Sequence, residues 1–252
     1  MRFKILCAKI IFMKLIKTQR LNASMVASDE SLSAIGAFQI IQDAVTECMG
    51  HLKIDGITVK NKYNAFWVFV KTRAEFFKKL GWGEEYTVTA FPSSMSLAKM
   101  YVDVEVRDKT DDLILYARVE LCVLDIATQR IKKVASVGVE ESMMHPATEE
   151  ITFGRFDSPE PSLVEQVKVR STNIDHSHHT NNLEYLRFVF NTYSVAQCEA
   201  RTITEMEVVY ASQSYENDVL DVFKAQRGNA DFIVLQKDGK PVVKCEIVFN
   251  RK

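Results

Sequence analysis

The clearest pattern in the first half of the chain is Leu32, Ile35, Phe38, Ile41, Val45 and Met49, three or four residues apart. That spacing is the one-sided apolar stripe of a helix. Asp29, Glu30 and Ser31 just upstream offer N-terminal caps, and the stripe stops near Gly50. Residues 18–27 are predicted to form a strand ahead of this helix. After it, residues 65–77, 85–91, 97–107 and 113–125 are rich in β-branched and aromatic side chains, which favours strands. The second half repeats the plan. A strand is expected over 164–170, followed by the polar run STNIDHSHHTNN and a second helical stripe through Leu183, Leu186, Phe190, Tyr193 and Ala196. Strands are then expected over 203–211, 218–225, 231–235 and 241–250, with Lys237-Asp238-Gly239-Lys240 as a hairpin turn.

Each half therefore reads as a strand, one long helix and about four strands. Strand and helix do not alternate, which disfavours a doubly wound parallel sheet. The expected class is α+β, with a twisted antiparallel sheet around a central helix in each half. Three of the five prolines, Pro146, Pro159 and Pro161, punctuate an acidic, small-residue stretch. The chain accordingly divides into residues 1–145, a linker over 146–162, and residues 163–252.

Composition narrows the function. The chain of 252 residues has 47% apolar and 26% charged residues, which is ordinary for a globular protein. Nine glycines are too few for a glycine-rich nucleotide-binding protein, and 32 basic against 33 acidic residues give no excess to hold a nucleic acid. The cysteines Cys7, Cys48, Cys122, Cys198 and Cys245 are odd in number and form no CxxC pair. No disulfide framework or cysteine zinc site is expected, and a cytoplasmic setting is. Cys122, Cys198 and Cys245 read as buried structural thiols. In residues 1–16, Lys9 and Lys14 interrupt the apolar run and no small-residue cleavage site follows closely, which argues against a signal peptide. The segment reads as an N-terminal extension or first strand, an over-called start codon being the alternative. No apolar run is long enough to span a membrane.

The chemistry concentrates in one place. His176, His178 and His179 stand beside Asp175, Ser177, Asn181 and Asn182, immediately before the second helix. Unpaired amides at a helix N-terminus attract a developing oxyanion. A carboxylate, an imidazole and such amides together make a hydrolytic centre. Capping alone accounts for Asn181 or Asn182, but not for an Asp and three His in one short run. A metal site on His176, His178 and His179 is disfavoured. In an extended chain the first two point one way and the third the other, and no second cluster adds ligands. No cofactor is called for.

Residues 175–185, Asp-His-Ser-His-His-Thr-Asn-Asn-Leu-Glu-Tyr, resemble the D-x-N-x-H-x-N-N-x-x-Y motif of acyl-acyl-carrier-protein thioesterases, in their bacterial, tandem form. The resemblance extends over residues 18–250. It takes in the helix segment Ile41-Gln42-Asp43-Ala44, the Trp67 strand, and Leu124-Asp125 with Thr128-Gln129-Arg130. It implies a double hotdog: two curled antiparallel sheets, each around a long central helix, the first half shaping the acyl pocket and the second holding the chemistry. The segment 28–31 ahead of the first helix, and that helix itself, offer no histidine for an equivalent centre.

By this likeness Asp175 and His179 take the catalytic positions, and Ser177 stands where the family has Asn. Gln213 and Ser214 fall where the family has Glu or Cys. The mechanism it implies is direct hydrolysis of a fatty acyl thioester to free acid, with no metal. His179 and Asp175 activate water, Ser177 and Gln213 position it, and amides near Asn181, Asn182 and Leu183 hold the oxyanion. A serine nucleophile, Ser177 or Ser214, is the rival chemistry. Phe66, Trp67, Phe69, Phe76 and Phe77 are candidates for the acyl slot. Acyl carrier protein, an acidic partner, is expected on a basic patch drawn from Lys60, Lys62, Lys71, Arg73, Lys78, Lys79, Lys168 and Arg170. The fold also admits a homodimer. An acyl-CoA thioesterase, or a non-hydrolytic acyl-binding or dehydratase-like relative, are the alternatives.

Overall fold

The computed structural model describes residues 14–251. The expectations for residues 1–13, Cys7 and Lys9 included, lie outside the described residues.

Among the described residues eleven strands form one sheet: β1 (Leu15–Arg20), β2 (Ala65–Phe76), β3 (Glu85–Met95), β4 (Lys99–Asp108), β5 (Leu113–Asp125), β6 (Ile131–Lys132), β7 (Ser162–Lys168), β8 (Arg201–Tyr210), β9 (Val219–Arg227), β10 (Ala230–Lys237) and β11 (Lys240–Arg251). Their order is β1-β3-β4-β5-β2-β8-β11-β10-β9-β7, with the short β6 on β5. Every pairing is antiparallel. Each half contributes its strands in the same sequence, and the halves join where β2 pairs with β8, Lys71 opposite Val209 through Glu75 opposite Glu205. The turn at 237–240 closes β10 on β11, with Asp238 and Gly239 both at positive φ as a type I′ turn demands.

The first stripe forms helix α1 (Ala34–His51), whose buried face includes Phe38, Ile41, Val45 and Met49. It packs against β1, β3 and β4. Its cap is Ser33, which accepts the Gly36 N–H, and not the Asp29–Ser31 group; Asp29 instead bonds Ser31 and Lys79. Gly36 is required there, because a Cβ would meet the Met25 carbonyl at 2.5 Å. The strand expected over 18–27 lies earlier, in β1, since Asn22 leads into a 3-10 turn over Ala23–Met25. An unanticipated helix, α2 (Gly56–Tyr63), is capped by Asp55, which accepts the Ile57 and Thr58 N–H groups. Trp67 on β2 donates its indole N–H to the Ile54 carbonyl at 2.7 Å, fixing the connection between α1 and α2.

The second helix is not long. The stripe splits into α3 (Asn182–Phe190), nine residues that reach α1 and β10, and α4 (Val195–Glu199). Ser194 stops and restarts the chain through a capping box with Gln197. Ala196 therefore lies on α4 and Tyr193 in the break.

The proline-bearing segment is a strap, tied along its length to the outer face of the sheet. Thr148 donates to Glu105, Arg118 to the Ile151 carbonyl, the Gly154 N–H to Glu207, and Arg227 to the Asp157 carbonyl. Beneath it Asp103 is fully buried. It accepts from the Tyr116 hydroxyl at 2.6 Å and from two nitrogens of Arg118 at 2.8 Å. Breaking a buried, hydrogen-bonded ion pair from one side leaves the other charge uncompensated. Asp103→Ala is expected to cost about 3 kcal/mol in chemical denaturation, the low end for such pairs because Arg118 keeps some access to water. A loss under about 1 kcal/mol would mean the strap, not the ion pair, carries this face.

Candidate active site

Between β7 and α3 the chain makes a tight reversal. Ile174 bridges Thr180, the Asp175 N–H donates to the His179 carbonyl at 2.9 Å, and the His178 N–H donates to the Asp175 carbonyl at 3.1 Å. His178 takes positive φ to close it. Asp175 stabilises the turn with its own side chain, its Oδ1 accepting the Ser177 N–H at 2.8 Å, as an Asx turn does. The sequence folds this way because a short acceptor side chain stands two residues ahead of the amide it satisfies. The turn thus brings Asp175 and His179 side by side. Ser177, His176 and His178 are exposed, while Asp175 and His179 are half-buried. Among the described residues no three His, Cys, Asp or Glu side chains converge as metal ligands.

Burial lowers the His179 pKa below the usual imidazole value; Asp175 opposes the shift and His178 adds to it. The ring also meets Tyr215 edge-on, with centroids 5.5 Å apart. The Tyr215 hydroxyl in turn donates to Gln213 Oε1 at 3.2 Å. Tyr215, which the sequence reading missed, is therefore the side chain shared by His179 and Gln213. A Tyr two residues after Gln213, on the same side of an extended segment, was the available signal.

The loop is fastened from beneath by Ser214, which is fully buried. The Thr180 N–H donates to the Ser214 carbonyl at 2.9 Å, and the Ser214 N–H donates to the Tyr185 oxygen at 3.0 Å. The Ser214 hydroxyl lies 2.7 Å from that of Thr180 and 2.9 Å from that of Tyr185. One assignment uses every proton: Tyr185 donates to Ser214, Ser214 to Thr180, and Thr180 to the Ser214 carbonyl at 3.1 Å. Ser214 is thus shut off from solvent, and neither of its hydroxyl partners is a base.

At the start of α3 most amides are occupied. Asn181 donates its N–H to the Asn173 carbonyl, its side chain accepts the Leu183 N–H at 2.9 Å, and its carbonyl accepts the Glu184 N–H. Leu183 is thus unavailable as an oxyanion donor. The Asn182 N–H has no partner among the described residues. Asn173 Nδ2 braces Glu184 Oε2 at 2.8 Å, locking the loop to the helix.

Other expectations change. Cys122 and Cys245 are buried but Cys198 is exposed. Phe77 is exposed, so it lines no interior slot; Trp67, Phe69 and Phe76 pack against the core. The first helix does end in a histidine, His51, which is exposed. The basic patch is partly neutralised. Arg73 pairs with Glu205 and Glu207, Lys78 with Asp108 and Asp112, and Lys79 with Asp29. Lys60, Lys62, Lys168 and Arg170 stay exposed and outside ion pairs among the described residues. No helix among the described residues is long and apolar enough to cross a membrane.

Replacing Ser214 by Ala deletes two buried hydroxyl contacts and strands two partners. We expect Ser214→Ala to lower stability by about 1–3 kcal/mol. Hydrogen exchange at the Thr180 amide should rise with it, as read by mass spectrometry. Unchanged exchange would remove Ser214 as the fastening point.

Comparison with known proteins bears on the whole chain. Residues 18–141 match the model of the acyl-ACP thioesterase N-terminal domain, and residues 157–250 that of the C-terminal domain. An acyl-ACP thioesterase from Bacteroides thetaiotaomicron shares the fold at a TM-score of 0.87 and 17% identity, with 96% of this chain and 99% of that one covered. The 12:0-ACP thioesterase from Umbellularia californica gives 0.84 and 17%, with 95% and 98% covered. No curated protein matches the sequence. With both of its domains represented along one chain, the protein belongs to the acyl-ACP thioesterase family and is a thioester hydrolase.

Proposed function

We propose that the protein hydrolyses fatty acyl thioesters of acyl carrier protein to free fatty acid, ending fatty acid synthesis in the cytoplasm. We further propose that it is a double hotdog, residues 1–145 shaping the acyl pocket and 163–252 holding the chemistry. The observation that carries the catalytic reading is the half-buried His179, held beside Asp175 by a five-residue turn and sharing Tyr215 with Gln213.

Water sits between His179 and Gln213. The imidazole takes one of its protons as the oxygen attacks the thioester carbonyl, and Asp175 stabilises the imidazolium that forms. Charge developing on the carbonyl oxygen is received by the Asn182 N–H. Collapse breaks the C–S bond, and the proton returns from His179 to the leaving sulfur. Gln213 cannot take a proton, so its part is to orient water through its amide. Ser177 supplies its backbone N–H to Asp175. Ser214 is a positioning residue acting through Thr180. Ile174 and Leu183, half-buried against the core beside the turn, give the acyl chain its entry. Trp67 acts at the other end of that reading, as part of the pocket wall.

The following outcomes test this. His179→Ala should lower kcat by about 10²–10⁴-fold, the range for losing a general base; a change of only a few-fold would exclude that role. The base must be neutral to work, so activity falls as pH drops through the His179 pKa. That acid limb in kcat/KM is expected below the ordinary 6.5. Asp175 holds the pKa up, so Asp175→Asn should move the limb to still lower pH while reducing the plateau. A limb moving upward contradicts the pairing. Finally, Lys168 and Arg170 lead directly into the site loop. Reversing both charges should raise KM for acyl-ACP about five-fold per kcal/mol of lost attraction while leaving the acyl-CoA rate unchanged. A preference for acyl-CoA in side-by-side assays would overturn the choice of carrier.

A further inference from the structure

Beyond the far end of α3 the inner face of the sheet is covered by Tyr193 and the short α4 in place of a long helix. Nine residues of helix reach only about 14 Å, and the chain then turns into the short α4. A cavity of about 360 Å³ opens there, lined by Gln197, Ala200, Arg201, Lys224, Gln226 and Asp231. Lys224 shares the inner face of β9 with the buried Val222, and Asp231 shares that of β10 with Ile233 and Leu235. These are positions that face the core elsewhere in the sheet.

Among the ion pairs of the described residues, two cations here meet the same carboxylate. Asp231 is buried, and its Oδ2 serves three groups: the Tyr193 hydroxyl at 2.8 Å, Arg201 at 3.1 Å and Lys224 at 3.8 Å. One carboxylate therefore answers two cations. Lys224 Nζ finds only a long contact to Thr192 Oγ1 at 3.4 Å besides, and it lies 3.3 Å from the Tyr193 ring centre. Arg201 stacks on Phe249 at 3.9 Å, which fixes its guanidinium plane. Burial pushes the Lys224 pKa down most strongly, Asp231 pulls it back up, and the neighbouring Arg201 adds a smaller push down. A negative ligand relieves that repulsion. Gln197 and Gln226, both exposed, add amide donors at the mouth.

We propose that this cavity is a second binding site, separate from the thioester centre, that takes a small oxyanion, a phosphomonoester or a carboxylate, between Arg201 and Lys224. The planar fork of Arg201 grips two oxygens and the Lys224 ammonium a third. Asp231 holds both cations in place and tempers their affinity for an anion. Nothing in this site depends on the thioester reaction.

The test is calorimetric titration of the full chain with inorganic phosphate and, separately, with acetate, at ionic strength held constant with sodium chloride. One saturable site for either anion is expected. Phosphate alone identifies a phosphomonoester as the ligand class, and acetate alone a carboxylate. Q226E puts a negative charge at the mouth, directly across the β9–β10 pairing from Asp231, and K224M removes one cation. Each should weaken binding at least ten-fold, with unfolding curves confirming that the variant is folded. H179A should bind like the parent, since His179 lies at the other end of α3. Absence of saturable binding of both anions, unchanged affinity in either folded variant, or loss of binding in H179A overturns the proposal.

Discussion

Arg73 sits at the joint between the two halves, where β2 pairs with β8. It faces Glu207 across the pairing and reaches Glu205 at 2.6 Å and Glu75 at 3.5 Å. Without it, Glu75 and Glu205, which lie directly opposite each other, would repel across the one pairing that makes a single sheet. Glu207 also accepts the Gly154 N–H, so the same charge cluster anchors the strap. Joint, strap and outer face are thus one electrostatic unit. Its polar side chains are buried beneath the strap and satisfied: Glu105 and Glu207 by strap residues, Asp103 by Tyr116 and Arg118 on β5.

With the outer face settled by polar bonds, the inner face has to be covered by helix. The two halves solve this unequally. The 18 residues of α1 run the length of the first half, whereas α3 stops after nine. What the shorter helix forgoes at its far end is apolar burial, and charged side chains stand there instead. What it keeps is its N-terminus, where Tyr185 of its first turn meets Ser214. The turn bearing Asp175 and His179 is held by hydroxyls in the core as well as by its own Asx bond, which is why a loop with three exposed residues still has a defined shape.

The elements that sequence reveals are those whose burial is periodic. The α1 stripe and the strands from β2 to β5 were legible because each buries one regular face. The second stripe was equally regular, yet Tyr193 and Ala196 continue it across a break that Ser194 and Gln197 impose through local hydrogen bonds. Helix α2 buries only Val59 and leaves no stripe; its one signal was Asp55 ahead of Thr58. In the site, Asp175 and His179 were legible because five consecutive residues bring them together. Thr180 and Ser214 lie 34 positions apart, and Tyr215 meets His179 only through that tertiary contact. The basic patch misled for the same reason. The carboxylates that neutralise Arg73, Lys78 and Lys79 come from distant strands and loops.

The departures from the family motif bear on how the proposed base works. A carboxylate at position 213 would set a second negative charge near His179 and hold its ring protonated to higher pH. Gln213 supplies hydrogen bonds without charge, so burial outweighs Asp175 and the ring stays neutral where thioesters are to be hydrolysed. Ser214 gives the core a hydroxyl that can donate and accept at once, and a thiol makes a poor substitute among such bonds. Around the proposed centre the chain thus offers neutral hydrogen bonding at 213 and 214. In the proposed mechanism this leaves the proton transfer to His179 and the steadying charge to Asp175.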